Sequence, residues 1–411
     1  MKKKIFSLFL AVILILSLAA CGTPDGSTDV NSDSSTVSSS LSASTGNSSD
    51  VGGSTDSVSS ESSTQSSTQS STESSTQSST QSSSNTSPVV PTEPLYDASI
   101  EHKVILTDNS ARKIVILDLN VAKEDWKKLD WRKSSNSAVR VWESKILTDF
   151  CGVKYRELPT GEKYVLATSS YGSAYVIDYE TKNTVATLTN YPSQPSVEGS
   201  LYNAHSIEML PNGDIIVACS GYQVDNTSYN YQNGGLRYFK RIVDGTKVSY
   251  EYKSSLTLPF AHAALWDPSE NCLWSIGFEG VVAVDVNTAT CTMTKNAAKS
   301  LSKVNFTGHD MVPAFGREGC FWISDNSSIY LFDAVAKKLH RTFTYTSKGI
   351  KGMAYFEDGT MVTSDWSNSL RIYVNKPANN KDGYKLQTSK VEISGSGTQI
   401  YKIHTCTPRY E

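Results

Sequence analysis

Charge of one sign, long apolar runs and paired cysteines are all scarce in this sequence, and each scarcity excludes something. Across 411 residues, 38 Lys+Arg nearly balance 41 Asp+Glu, for a net charge of −3. That balance gives no basis for a nucleic-acid footprint or a polybasic membrane patch. One long apolar run is present, Ile5 to Ala20, which excludes a polytopic membrane protein. Seven cysteines occur without a C-x-x-C pair or a spacing that suggests pairing, so a disulfide-dense mini-domain is excluded. Cys219, Cys272 and Cys320 fall in strand-like apolar stretches, where buried reduced thiols are expected. Also absent are a G-x-S-x-G elbow, a P-loop, an H-E-x-x-H pair and a G-x-G-x-x-G in a strand–helix setting.

What is present divides the chain in three. Residues 1–20 form a leader: the basic start Met1-Lys2-Lys3-Lys4, then an apolar core shorter than the ~20 residues a spanning helix needs. The core ends Leu18-Ala19-Ala20-Cys21-Gly22. Small residues before a cysteine, followed by polar sequence, resemble a bacterial lipobox. That resemblance implies cleavage before Cys21, diacylation of its thiol, and a stable anchor from two or three acyl chains. Residues 21–94 are a Ser/Thr/Gln-rich linker, with the block Ser63-Thr64-Gln65-Ser66-Ser67-Thr68-Gln69 recurring to Ser84. Such sequence cannot bury enough apolar surface to offset its ordering entropy. It reads as a disordered tether with a root-mean-square reach of roughly 45–50 Å.

Residues 95–411 carry a repeat. A short strand, a turn of Pro, Gly, Asn or Asp, a second strand, a small polar loop and a third strand often ending in Asp recur along the chain. Copies start near Gly152, His205, His262, Gly308-His309 and Gly349. A sixth is split: Tyr401 to Thr407 supplies its first strand, and Val104–Asp108 with Ile114–Asp118 supplies the next two. Residues 120–150, with Trp126, Trp131 and Trp142, are expected to add its outer strand. Alternating apolar residues and β-branched enrichment indicate antiparallel strands. The spacing suits one four-stranded blade per copy. The expected fold is all-β, a six-bladed β-propeller closed by N- and C-terminal strands in one blade. An open two-sheet sandwich is the competing architecture.

These repeats resemble an uncharacterised family of bacterial six-bladed propeller lipoproteins, and more distantly the YVTN-type and quinoprotein-like propellers. The resemblance covers residues 100–411 and speaks to fold, since fold does not establish function.

Four of the six histidines, His205, His262, His309 and His404, occupy one register at the start of the first strand, with Lys154 and Lys351 in the other two copies. First-strand starts converge on a propeller's channel, so a ring of four imidazoles and two ammoniums is expected. His102 and His340 fall outside that register and are expected at the surface. Loops opening on the same face bring Tyr171, Tyr222, Phe278, Asn326, Asp365 and Trp366 as ligand-binding candidates. Against this stands the structural histidine of WD-type propellers, which bonds a loop aspartate; that histidine lies farther from the turn proline than His205 and His262 do.

Three or four imidazoles at one point suit a divalent metal ion (Mn, Zn or Ca). The site, although not the whole chain, is similar to that of oligogalacturonate-lyase-type propellers, which implies a metal-dependent polysaccharide lyase or hydrolase with Lys154 or Lys351 as base or carboxylate clamp. The expected function is a membrane-anchored extracytoplasmic propeller that binds a carbohydrate or anionic ligand at a His/Lys-lined channel. The lyase and a non-catalytic interaction scaffold of the cell envelope are the rivals. Expected partners are the membrane, through the N-terminal lipid, and a polysaccharide or envelope protein, with no nucleic acid.

Overall fold

The computed structural model describes residues 101–120, 140–189, 200–223, 229–303, 306–315, 317–326, 328–344, 349–365, 369–374, 391–394 and 399–406. The leader, Cys21, the tether, Trp126, Trp131 and Trp366 lie outside the described residues. Among those described, the strands make six four-stranded antiparallel sheets and one short two-stranded ribbon.

The sheets follow the repeats. Phe150–Glu157 (β4), Lys163–Ser169 (β5), Ser173–Asp178 (β6) and Thr184–Thr189 (β7) form one. Ala204–Met209 (β8), Ile215–Cys219 (β9), Gly235–Asp244 (β12) and Lys247–Thr257 (β13) form the next, with the ribbon Tyr222–Gln223 (β10) and Tyr229–Asn230 (β11) inserted. Then come Ala263–Asp267 (β14), Cys272–Gly277 (β15), Gly280–Asn287 (β16) and Thr292–Ser302 (β17). Asp310–Pro313 (β18), Cys320–Ser324 (β19), Ser328–Asp333 (β20) and Lys338–Thr344 (β21) follow. Ile350–Tyr355 (β22), Thr360–Asp365 (β23), Ser369–Val374 (β24) and Val391–Ser394 (β25) make the fifth. The last joins the chain's two ends: Ile400–Thr405 (β26) pairs with Lys103–Asp108 (β1), which pairs with Lys113–Asp118 (β2) and then Arg140–Glu143 (β3). Trp142 therefore sits on the outer strand of the split copy, as its position in the sequence suggests.

The turns explain why the repeat carries Asp. In five hairpins an Asp or Asn carboxylate or amide oxygen accepts the backbone N–H three residues on: Asp108 from Ala111, Asp178 from Thr181, Asp267 from Glu270, Asn287 from Thr290 and Asp333 from Ala336. The next residue, Arg112, Lys182, Asn271, Cys291 or Lys337, takes a positive φ. An Asx-type turn closed by one left-handed residue reverses the chain without glycine.

Neighbouring sheets face each other through apolar side chains. Val104, Leu117, Ala354 and Phe356 join the split sheet to the β22 sheet; Leu166, Val176, Ile207 and Val217 join the β4 and β8 sheets. Leu236 and Trp266, Trp274 and Phe332, Trp322 and Met353, and Ile116 and Val165 do the same at the other junctions. Each sheet thus buries both faces, the condition that a propeller arrangement meets and a lone blade cannot. Burial falls outward: β8 and β14 are buried throughout, whereas β13 alternates exposed and half-buried positions. Near the axis the backbones crowd. A Cβ on Gly152 would lie 2.9 Å from the His205 carbonyl, and one on Gly352 2.5 Å from the Ile403 nitrogen.

The cysteines Cys151, Cys219, Cys272, Cys291, Cys320 and Cys406 are all free, and all but Cys320 are buried. That matches the expectation of reduced thiols. His102 corrects the expectation of a surface position. It is fully buried, with Nδ1 2.8 Å from Asn120 Oδ1 and Nε2 2.8 Å from Asp358 Oδ2. It ties the residue just before β1 to the β22–β23 turn. His340, on β21, is half-buried.

Candidate functional site

The first strands carry their polar residues to the axis by local irregularity. In β8 and β22 the pairing register slips at His205 and at Lys351, which are the extra residues of β-bulges; β4 slips likewise at Cys151. In β26 both Tyr401 and Lys402 stand opposite Thr107, whose Oγ1 accepts their N–H groups at 3.3 and 2.9 Å. A bulge leaves one residue unpaired and re-aims its side chain. His262 and His309 reach a similar place by preceding β14 and β18, held by backbone bonds to Ile276 and Ser324.

Three of the four expected imidazoles meet. His205 and His262 stack with centroids 4.1 Å apart and 14° between planes, and His262 meets His309 edge-on at 5.1 Å. Tyr401 closes the cluster, its hydroxyl 3.0 Å from His205 Nδ1. Lys351 is there too: its Nζ lies 2.7 Å from His309 Nε2 and donates to Asn326 Oδ1 at 3.0 Å, with that oxygen 2.7 Å from the same imidazole nitrogen. Among the described residues His309 Nδ1 is buried without a hydrogen-bond partner.

An aromatic arc leads off this cluster. Phe260 lies 3.8 Å from His262 and stacks on Phe278 at 4.4 Å, and Tyr231 sets its edge against both phenylalanines at 5.1 and 5.5 Å. Phe260 has φ +61°, a left-handed conformation that a bulky side chain rarely takes and that costs about 1–3 kcal/mol. Phe260 is buried, whereas Phe278 and Tyr231 are half-buried and present ring surface at the rim.

His404 and Lys154 are not in this layer, contrary to expectation. His404 is the fifth residue of β26, where its Nε2 lies 3.3 Å from Asp310 Oδ1. The sequence aligned His404 with the other histidines, but the residue at the bulged register is Tyr401. Lys154 sits midway along β4, fully buried, donating to the Ala264 carbonyl and lying 2.9 Å from Glu208. Arg156 grips the same carboxylate at 2.5 and 2.7 Å. Lys402 forms the matching pair with Asp310 at 3.2 Å and donates to the His309 carbonyl. Glu208, Asp310, Tyr401, Lys402 and Phe260 were not singled out from the sequence. Their signal was faint: each lies within three residues of a ring histidine, but nothing in a single sequence marks a strand residue as facing an axis.

The remaining candidates divide. Asn326 and Phe278 join the cluster. Tyr171 is exposed and its hydroxyl donates to Asp149 Oδ2 at 2.9 Å. Tyr222 lies in β10 and Asp365 ends β23, but their side chains, with all of Trp366, lie outside what is described.

Burial governs the electrostatics. It pushes His205 down to about 3, with the Lys402 and Lys351 ammoniums adding to the effect. His262 and His309 fall well below their ordinary value for the same first reason. All three imidazoles are neutral at pH 7. Burial lowers Lys154 to about 8 despite Glu208, and lowers Lys402 despite Asp310. For Asp310 burial acts upward, but His404 and Lys402 outweigh it and hold the carboxyl at about 2. Three buried cations, Lys154, Arg156 and Lys402, therefore face two buried carboxylates, Glu208 and Asp310, and Lys351 adds a further cation at the rim.

Neutral imidazoles are competent metal ligands, but these present ring faces and an edge to one another rather than converging lone pairs. Among the described residues no group of three His, Cys, Asp or Glu side chains is arranged to hold a metal ion. A cleft of about 640 Å³ at the far ends of β14 and β18, lined by Asp267, Pro313, Arg317 and Phe321, contains none of the expected site residues.

A family model described as a family of unknown function, DUF6528, matches residues 74–393. The chain belongs to DUF6528. The match takes in most of the repeat and thus most of the residues at the axis. No curated protein matches this DUF6528 chain significantly. Among solved structures, a functionally unknown protein from Desulfotomaculum acetoxidans DSM 771 is similar at 13% identity and TM-score 0.48, over 75% of this chain and 86% of its own. A chain of a nidogen/laminin complex is similar at 11% identity and TM-score 0.45, over 75% of this chain and 99% of its own.

Proposed function

We propose that this DUF6528 protein is a lipid-anchored extracytoplasmic binding protein for an acidic saccharide, which it holds at the mouth of a closed six-bladed propeller. The six sheets, each packed on two neighbours, and the pairing of β26 with β1 support the ring. One observation carries the ligand: Lys351 stands beside His309 and Asn326 at a rim where Phe278 offers a half-buried ring. A cation binds the carboxylate, amide and imidazole bind hydroxyls, and an aromatic face stacks on a pyranose.

Titration calorimetry of the propeller-bearing chain with oligogalacturonate and with a neutral glucan oligomer tests this. The acidic oligomer is expected to bind, with affinity falling as salt rises, and Lys351→Met to weaken it about tenfold or more. Equal binding of the neutral oligomer, or none of either, overturns the reading. The scaffold rival would then be favoured by a protein partner in its place. Lyase or hydrolase chemistry is not part of the proposal, because Lys154 and Lys351 occupy different layers and Lys154 is committed to Glu208.

The anchor rests on Ala19-Ala20-Cys21-Gly22 after an apolar core. Expressed in a bacterium with lipoprotein-processing enzymes, the chain is expected to partition with membranes, with Cys21→Ser releasing it. Membrane retention of Cys21→Ser would sink this part of the proposal.

A further inference from the structure

Arg237, third residue of β12, is buried, yet no carboxylate pairs with it among the described residues. Its Nη1 donates to the Leu236 carbonyl at 3.2 Å and its Nη2 to the Asn233 carbonyl at 2.9 Å. Its Nε is buried with no hydrogen-bond partner among the described residues. The other buried cations differ: Lys154 and Arg156 share Glu208, and Lys402 has Asp310. A guanidinium withdrawn from water without a counter-charge is unfavourable, and two neutral carbonyls leave donors of its fork unused.

The surroundings hold that fork near the rim. A Cβ on Gly235 would come within 2.7 Å of Nη1, so the glycine gives the guanidinium its room. Asn233, whose carbonyl it grips, is exposed and ends the single turn Tyr231–Asn233. The Tyr231 ring meets Phe260 and Phe278, and Gly234 accepts the Leu258 N–H at 3.0 Å. The aromatic arc thus has a cation at each end: Lys351 beside His309, and Arg237 beyond Tyr231.

We propose that Arg237 is a second anion subsite, taking another carboxylate of the same acidic saccharide whose first sugar sits at Lys351; this rests on the acidic-saccharide reading above. A planar fork matches a carboxylate in two parallel hydrogen bonds, which a lysine cannot reproduce. The half-buried rings of Phe278 and Tyr231 would support the intervening sugar faces.

Calorimetry with galacturonic acid and its dimer-to-hexamer series separates the two claims. Wild type is expected to bind the longer oligomers about tenfold or more tighter than the monomer. Arg237→Met and Arg237→Lys should lose that gain while keeping monomer affinity; Lys351→Met should weaken monomer and oligomer alike. The Arg237 Nε–H resonance of the wild-type chain provides a readout that needs no variant, and it should shift with the acidic oligomer and not with a neutral one. An Arg237 variant that retains the full length dependence, or an unmoved Nε–H signal in a chain that binds the oligomer, overturns the second subsite and leaves the first. Failure of wild type to bind even the monomer and the oligomers overturns both.

Discussion

The imidazoles of His205 and His262 stack 4.1 Å apart, although they are 57 residues apart in the chain, one in β8 and the other just before β14 of the next sheet. Two such rings can lie face to face, shielded from water, only while both are neutral. Protonating either puts a charge against a neighbour that cannot solvate it.

A pH dependence of stability follows. The unfolded chain takes up a proton on His205 near pH 6.5, the folded chain only near 3. Between those values the unfolded state binds more protons, so stability is full above about pH 6.5 and falls as pH drops through the window. Each such histidine contributes a loss on the order of 1 kcal/mol per pH unit. Thermal melting from pH 7 to 4.5 is expected to fall steeply, and His205→Gln to flatten the slope; an unchanged slope would mean that the imidazole is not buried as described.

Glu208 compensates two buried cations at once. Glu208→Gln is expected to cost about 3–5 kcal/mol, because it leaves Lys154 and Arg156 without their counter-charge. Denaturant unfolding of the triple variant Lys154→Met, Arg156→Leu, Glu208→Met should recover most of that loss. A Glu208→Gln protein as stable as wild type would contradict the pairing.

Phe260 gives an inverted ranking. In most β structure Gly is less favourable than Ala, but at φ +61° the methyl group of alanine is strained and glycine is not. Both variants lose the ring and are expected to cost about 3–5 kcal/mol. Phe260→Gly should nonetheless be the more stable of the two by about 1 kcal/mol. The opposite order in denaturant melts would place Phe260 in an ordinary extended conformation.

His102 ties the strand entering at β1 to the β22–β23 turn through Asp358. Asp358→Ala is expected to cost about 1–3 kcal/mol, since it removes the carboxylate that bonds a buried imidazole. Hydrogen exchange should quicken first in β1 and β26, which share that sheet. Uniform exchange across all sheets would show that the contact does not hold the split copy.

Much of this was legible one residue at a time. Alternating apolar strands and third strands ending in Asp118, Asp178 and Asp333 depend on near neighbours in the chain, so local pattern reveals them. The divided sixth copy was legible because the repeat recurs at both ends of residues 95–411. The same logic drew His205, His262, His309, Lys351, Phe278 and Asn326 to one end of the sheets. It misplaced His404 and Lys154 by three residues each, because the strands bulge at Tyr401 and Cys151 and composition does not mark where a bulge falls. It also took His102 for a surface residue, since its partners, Asn120 and Asp358, lie 18 and 256 residues away.

The order of strands and turns therefore belonged to the sequence alone, because hydrogen bonding and burial within a hairpin are settled over a few residues. Which side chains share the axis belonged to the tertiary structure. Only when separate sheets pack does Lys402 find Asp310 and Lys154 find Glu208, and only then is Arg237 buried with no carboxylate beside it among the described residues. Those outcomes depend on withdrawal from water, and no stretch of chain achieves that alone.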